Sequence, residues 1–155
     1  MNNRRIIAIV TLTAFSTAAI FALAQSPKPV MGSAAFDWTA IEARTNANGS
    51  VRKFFESPTA TLEMLECHVT TVKPKTASHA PHQHPDEEII IVKEGTLEAL
   101  INGEWKRVPS GSVIFFASNI LHGVRNVGDT PAVYHVLRWT SSTTPKRLTE
   151  KPAEK

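Results

Sequence analysis

From Thr59 onward, apolar positions come in short runs broken by turn residues. Leu62 to Val72 is rich in β-branched residues. Glu88 to Lys93 is a dense Ile/Val run that stops at Glu94-Gly95, and Thr96 to Ile101 follows. Asn102-Gly103 then predicts a tight hairpin turn of primed type, whose two central positions need positive φ. Trp105 to Val108 leads into Pro109-Ser110-Gly111. Val113 to Phe116, Leu121 to Val127 and Ala132 to Trp139 complete the set, with Gly128-Asp129 between the last two. Short strands at spacings of about eight to twelve residues predict an all-β sandwich or barrel over residues 59–140. Ile89 and Ile91 alternate with Ile90 and Val92, so both faces of that strand are apolar and both are expected to be covered.

The flanks read differently. Residues 25–58 are a linker with one short N-terminal helix. Residues 25–35 are a Pro-, Gly- and Ser-containing spacer, Asp37 to Arg44 is the helix with Asp37 as its cap, and Asn46 to Ser50 is a turn. Residues 141–155 form a loose polar tail. No internal repeat or second linker is visible, and 155 residues with 42% apolar content suit one domain with its own core.

The start of the chain reads as an export signal. Arg4 and Arg5 precede a largely apolar stretch from Ile6 to Leu23, and Ala22-Leu23-Ala24 matches a small-x-small cleavage pattern. Residues 1–24 are therefore expected to be a signal peptide, with the mature protein periplasmic or secreted and free of the membrane. The apolar run is long for a signal, which leaves an uncleaved anchor as the alternative. Arg4-Arg5 also fits a twin-arginine signal, though the flanking residues favour ordinary export. The leader explains much of the charge. Without Arg4 and Arg5 the 17 basic residues fall to 15 against 14 acidic, which leaves no basic stripe for nucleic acid. The single cysteine, Cys67, cannot form an internal disulfide and reads as a small buried hydrophobe.

The chemistry concentrates in His82-Gln83-His84-Pro85-Asp86-Glu87-Glu88, with His122 downstream. On an extended segment, residues two apart point to one face, so His82 and His84 converge. Glu88 adds a carboxylate and His122 a third imidazole from another strand. That mixed nitrogen and oxygen set suits a divalent transition metal, not calcium. The competing reading is a solvated His/Pro-rich loop.

The spacing is more specific than the composition. His82-x-His84, three residues, Glu88, six residues and Gly95 resemble the first motif of the cupin superfamily. Gly111, five residues, Ala117-Ser118-Asn119, two residues, His122, three residues and Asn126 resemble the second. The resemblance spans roughly residues 60–140. It implies a double-stranded β-helix, or jelly-roll barrel, holding one divalent metal (Mn, Fe, Ni, Cu or Zn) on His82, His84, Glu88 and His122. Thr76 stands where the family's first motif usually has Gly, and Ala117 and Asn119 where the second usually has Pro and Gly. These are turn positions, and Asn119 can still adopt the left-handed conformation. Glu88 keeps the register to Gly95, which Glu87 does not. Glu87 and Asp86 are then solvated or support the ligands.

Other side chains stay open as candidates. His68 and His135 lie on predicted strands, and either would serve as a general acid or base if it faced the cavity. Tyr134 and Arg138 share one face of their strand and His135 the other. If Tyr134 and Arg138 face inward, they suit a substrate carboxylate and exclude His135. His79 reads as a surface loop residue, Phe116 and Trp139 as packing, and Asn126 as shaping the turn after His122.

The resemblance implies a metal-dependent enzyme of dioxygenase, oxidase, isomerase or hydrolase type acting on a small oxygen-rich ligand. The alternatives are a cupin that binds or senses a small molecule without turnover, and a metal that only staples the fold. A second subunit covering the Ile89/Ile91 face would make a homodimer.

Overall fold

The computed structural model describes residues 29–146. The expected signal peptide, 1–24, and the end of the polar tail lie outside the described residues. Nine strands follow one 3₁₀ turn at Trp38–Ala40: β1 Arg44–Asn46, β2 Gly49–Ser57, β3 Met64–Val72, β4 Glu87–Glu94, β5 Thr96–Ile101, β6 Glu104–Pro109, β7 Val113–Phe116, β8 Gly123–Asn126 and β9 Ala132–Thr140. They form a six-stranded sheet, β1-β2-β3-β9-β4-β7, and a three-stranded sheet, β6-β5-β8. All pairings are antiparallel. Among the described residues no helix is long and apolar enough to cross a membrane.

Strand alternation builds the interior. Ile90 and Val92 of β4, Ile114 and Phe116 of β7, and Tyr134 and Val136 of β9 point inward from the large sheet. Leu97 and Ala99 of β5 and Val124 of β8 meet them from the small one. The Asn102-Gly103 hairpin forms as expected, with φ of 52° and 83° at its two central residues. The β4–β5 corner needs Gly95, where φ is 83° and a Cβ would come within 2.9 Å of the Ala132 backbone.

Four expectations need correction. The helix at 37–44 is a single 3₁₀ turn. Asp37 does cap it, accepting from the Thr39 amide at 2.7 Å, but Ile41 is already extended and Arg44 opens β1. The sheet therefore begins at Arg44, inside the stretch read as linker. Strand β2 escapes a period-two reading because a bulge between Lys53 and Phe55 switches its faces mid-strand. The spacer is tied down within its described part. The Met31 amide donates to Pro58 at 2.8 Å, and Phe36 packs on Phe55 with ring centroids 4.9 Å apart. Cys67 is half-buried, since the outer face of β3 is only partly covered. Among the described residues only the inner face of β4 is closed, which leaves the outer face for a second subunit to cover. Ile91 is 40% exposed on the outer face, as are Val113 at 64% and Phe115 at 52% beside it on β7.

Candidate metal centre

His82 and His84 sit in the loop before β4, and His122 in the loop before β8. The two loops hold each other. His82 and His122 exchange backbone hydrogen bonds of 2.9 Å in both directions, and the Asn119 amide donates to the His84 carbonyl at 2.7 Å. Asn119 takes φ of 58°, the left-handed conformation expected of it. These bonds bring the three imidazoles together, with donor atoms all within 4.8 Å of one another. Phe116 stacks on His122 at 4.5 Å, so the ring read as packing packs on the site itself.

Each outer hydrogen bond selects a nitrogen. Nδ1 of His84 donates to the Asp86 carbonyl at 3.0 Å, and Nδ1 of His122 to the Ile120 carbonyl at 2.7 Å. A carbonyl can only accept, so Nδ1 of each ring carries a proton, and in the neutral ring Nε2 is then the atom with the lone pair. Those two Nε2 atoms, and Nδ1 of His82, are buried without a hydrogen-bond partner. Buried polar nitrogens left unpaired are costly, and a ring fixed by its other nitrogen is how metal-binding histidines are held. Glu88, the second residue of β4, is buried beside them, its Oε2 3.4 Å from His84 Nε2.

The electrostatics favour the same donor set. Burial lowers the His82 pKa to about 4, with the neighbouring imidazoles adding to the effect. Burial also lowers that of His122, against the opposing pull of the Ile120 carbonyl. Both rings are therefore neutral near pH 7, as a ligand must be. Burial alone would raise the Glu88 pKa, but a hydrogen bond from His84 and the nearby Arg138 charge act against it and the carboxyl stays low. Three imidazole nitrogens and one carboxylate fit a divalent transition metal.

The cluster forms one wall of a cavity of about 280 Å³. His68, Tyr134 and Arg138 also line it. His135, on the opposite face of β9, does not, and its pKa is lowered by burial and by Lys93. Tyr134 and Arg138 do face inward, but neither is free to clamp a carboxylate. Tyr134 is 2% exposed, donates to Ser78 Oγ at 3.2 Å and is raised to about 12 by burial. Arg138 is ion-paired to Glu66 and lies with Nε 3.1 Å from Asp86 Oδ2. Glu87 turns outward and accepts from the Trp139 indole at 3.1 Å. His79 is exposed at the cavity edge, its ring edge-on to His82 at 4.4 Å. Asn126 ties the end of β8 to β3, donating to Val72 at 3.1 Å while its own carbonyl accepts from Gly128 at 2.9 Å.

Sequence reasoning missed Glu66. It is 3% exposed and holds Arg138, His68 at 3.1 Å and Lys53 at 3.3 Å. His68 and Arg138 hold its pKa near 2 against the opposing effect of burial. Its signal was the shared parity of Glu66, His68 and Thr70 along β3, which puts three polar side chains on the inner face.

A two-sheet β-barrel with three histidines converging on its interior is an arrangement that could hold a metal ion. The family model described as a Cupin domain matches residues 68–138, and this stretch is a cupin domain. Among solved structures, it is similar to an RmlC-like cupin from Shewanella frigidimarina, with TM-score 0.57, 17% identity, and coverage of 72% of this chain and 95% of that one. A predicted oxalate decarboxylase from Thermotoga maritima gives TM-score 0.57 and 17% identity, covering 69% of this chain and 99% of that one. Among curated proteins, the HTH-type transcriptional regulator SutR of Escherichia coli is 32% identical over 57 residues, which are 37% of this chain. The match spans 32% of the regulator's length.

Proposed function

We propose that this cupin binds one divalent transition metal (Mn, Fe, Ni, Cu or Zn) through His82, His84 and His122 together with Glu88, and acts on a small oxygen-rich ligand in the adjoining cavity. The observation that carries this reading is the pair of buried Nε2 atoms on His84 and His122 without a hydrogen-bond partner, whose Nδ1 atoms are both committed to carbonyls. When bound, such a metal supplies Lewis acidity and, for the redox-active ions, electron transfer. The chain's own part is to keep His82 and His122 neutral, to hold the three imidazoles through the paired loops, and to enclose the ligand between Phe116, Tyr134 and Val136. The classes of chemistry in view are dioxygenase or oxidase, isomerase and hydrolase. The leader supports placing the protein in the periplasm or outside the cell, where nothing calls for nucleic acid.

A second reading, a ligand-binding or sensing cupin without turnover, has support from the match within a transcriptional regulator. The two readings part on one experiment. Protein purified from its own host is analysed for metal, then assayed for dioxygen uptake with catechols, diketones and oxalate. Metal at one equivalent with turnover supports the enzyme, and metal with saturable binding alone supports the sensor. His84→Ala should abolish metal content, and retention of a full equivalent would overturn the site.

A further inference from the structure

The cavity has a second chemical centre on the β3 wall, built from Glu66 and His68. Nδ1 of His68 lies 3.1 Å from Oε1 of Glu66. A carboxylate can only accept, so that nitrogen carries the proton, and Nε2 is the nitrogen available to a ligand in the cavity. Glu66 is a fixed anion. Buried to 3% exposure, it is gripped through one oxygen by His68 and Lys53 and through the other by Arg138. A carboxylate that orients an imidazole also stabilises the imidazolium that forms when the free nitrogen takes a proton. His68 remains partly open, with 19% of its side chain accessible, as a group meeting a ligand must be.

The other titratable groups of the cavity are excluded by what they already do. The charged and titratable side chains around His68 are Glu66 on its own strand, Lys53 and Glu56 on β2, Arg138 and Tyr134 on β9, and Glu88 on β4. Lys53 is spent on Glu56 and Glu66, Arg138 on Glu66 and Asp86, and the Tyr134 hydroxyl on Ser78. Glu88 and the three clustered imidazoles make up the candidate metal site. His79 is exposed at the rim with Nδ1 on the Ala80 carbonyl at 3.0 Å, a neutral acceptor where His68 has a carboxylate.

We propose that the Glu66–His68 pair is the proton acceptor for acidic oxygen ligands that enter the cavity, which makes protic, chelating compounds such as enols, hydroxamic acids and hydroxy acids its ligand class. The proposal rests on the metal reading above. In the step, the ligand's O–H bond breaks and its proton forms an N–H bond on Nε2 of His68. The electron pair stays on the ligand oxygen, and the imidazolium is held by Glu66.

Acetohydroxamic acid is the probe, because it must lose one proton to bind as a chelating anion. The full chain is loaded with zinc, and the probe is titrated calorimetrically at pH 7 in buffers of different ionisation enthalpy, which counts protons released to solvent. Wild type should release about one proton fewer per bound probe than His68→Gln, with metal content equal in the two. Glu66→Gln should release as many as His68→Gln, because the imidazolium loses its counter-ion. Equal release by wild type and His68→Gln overturns the proposal while leaving the metal site standing. If His68→Gln fails to fold, His68→Asn and Glu66→Gln carry the same comparison. A wild-type chain that takes up zinc only where His84→Ala does too, and binds no probe, overturns the metal reading and this proposal with it.

Discussion

Arg138 at the end of β9 lies with Nε 3.1 Å from Oδ2 of Asp86. The same loop residue takes the Nδ1 proton of His84 on its backbone carbonyl. A chain of contacts therefore runs from Glu66 through Arg138 and Asp86 to the candidate ligand His84. Arg138 supports the loop that carries His84, and its charge is already matched by two carboxylates. Losing such a support costs metal affinity more than fold. Arg138→Gln should weaken zinc binding roughly tenfold to a hundredfold in competition with a chromophoric chelator. Arg138→Lys should not restore it, since a single ammonium cannot present the guanidinium fork to both carboxylates. An unchanged zinc affinity in Arg138→Gln would sever this chain of contacts from the site.

The acid limb of stability follows from two groups. The folded pKa of His82 is lowered to about 4, chiefly by burial, so between about pH 6.5 and 4 the unfolded chain binds more protons than the folded one. Stability therefore falls as the pH drops through that window. Glu66 is held near 2, first by its hydrogen bond with His68. Its contribution is complete above the ordinary carboxylate range and is lost as the pH falls towards 2. Urea denaturation of the chelator-treated protein at a series of pH values checks both. His82→Gln should flatten the upper window and Glu66→Gln the lower. A His82→Gln profile parallel to wild type between pH 6.5 and 4 refutes the first assignment.

The parts of this protein that were legible in its sequence are those set by local spacing. The convergence of His82, His84 and His122, with Glu88 beside them, could be read because their spacing follows a fixed pattern of intervals. Asn102-Gly103 could be read because only a few residues tolerate positive φ twice in succession. Strand parity also put Tyr134 and Arg138 on one face and His135 on the other before either face was known. What parity could not show was the partner opposite. Glu66 and Arg138 are 72 residues apart in sequence, and only the β3–β9 register, which pairs them directly, reveals that the arginine is already engaged. Strand β2 stayed hidden for a different reason. Its bulge after Lys53 breaks the alternation that would have marked it.

Gly95 marks a point where backbone freedom is needed for the fold. It turns β4 into β5 at φ of 83°, and a Cβ there would meet both Cα and Cβ of Ala132 at 2.9 Å. Backbone cannot yield as a flexible side chain can. Gly95→Ala should therefore cost about 1–3 kcal/mol in chemical denaturation, combining left-handed strain with the clash. Gly103→Ala serves as the control, because it shares φ of 83° but meets nothing within 4 Å. Its cost should be the smaller of the two, and equal costs would remove the packing part of the explanation.

The outer face of β4 and β7 bears on assembly. Ile91 and Val113 are direct cross-strand partners, as are Ile89 and Phe115, so the apolar side chains make one continuous patch. β7 is also an edge strand of the large sheet, with one row of backbone groups unpaired within it. An exposed apolar edge is a hazard unless something covers it. A second copy of the chain, brought patch to patch by a two-fold axis, covers both at once. We therefore expect a homodimer in sedimentation equilibrium at micromolar concentration. Val113→Ser combined with Phe115→Ser should give monomers that keep their zinc stoichiometry, since both side chains point away from the cavity. Wild-type protein that sediments as a monomer at that concentration rules the dimer out.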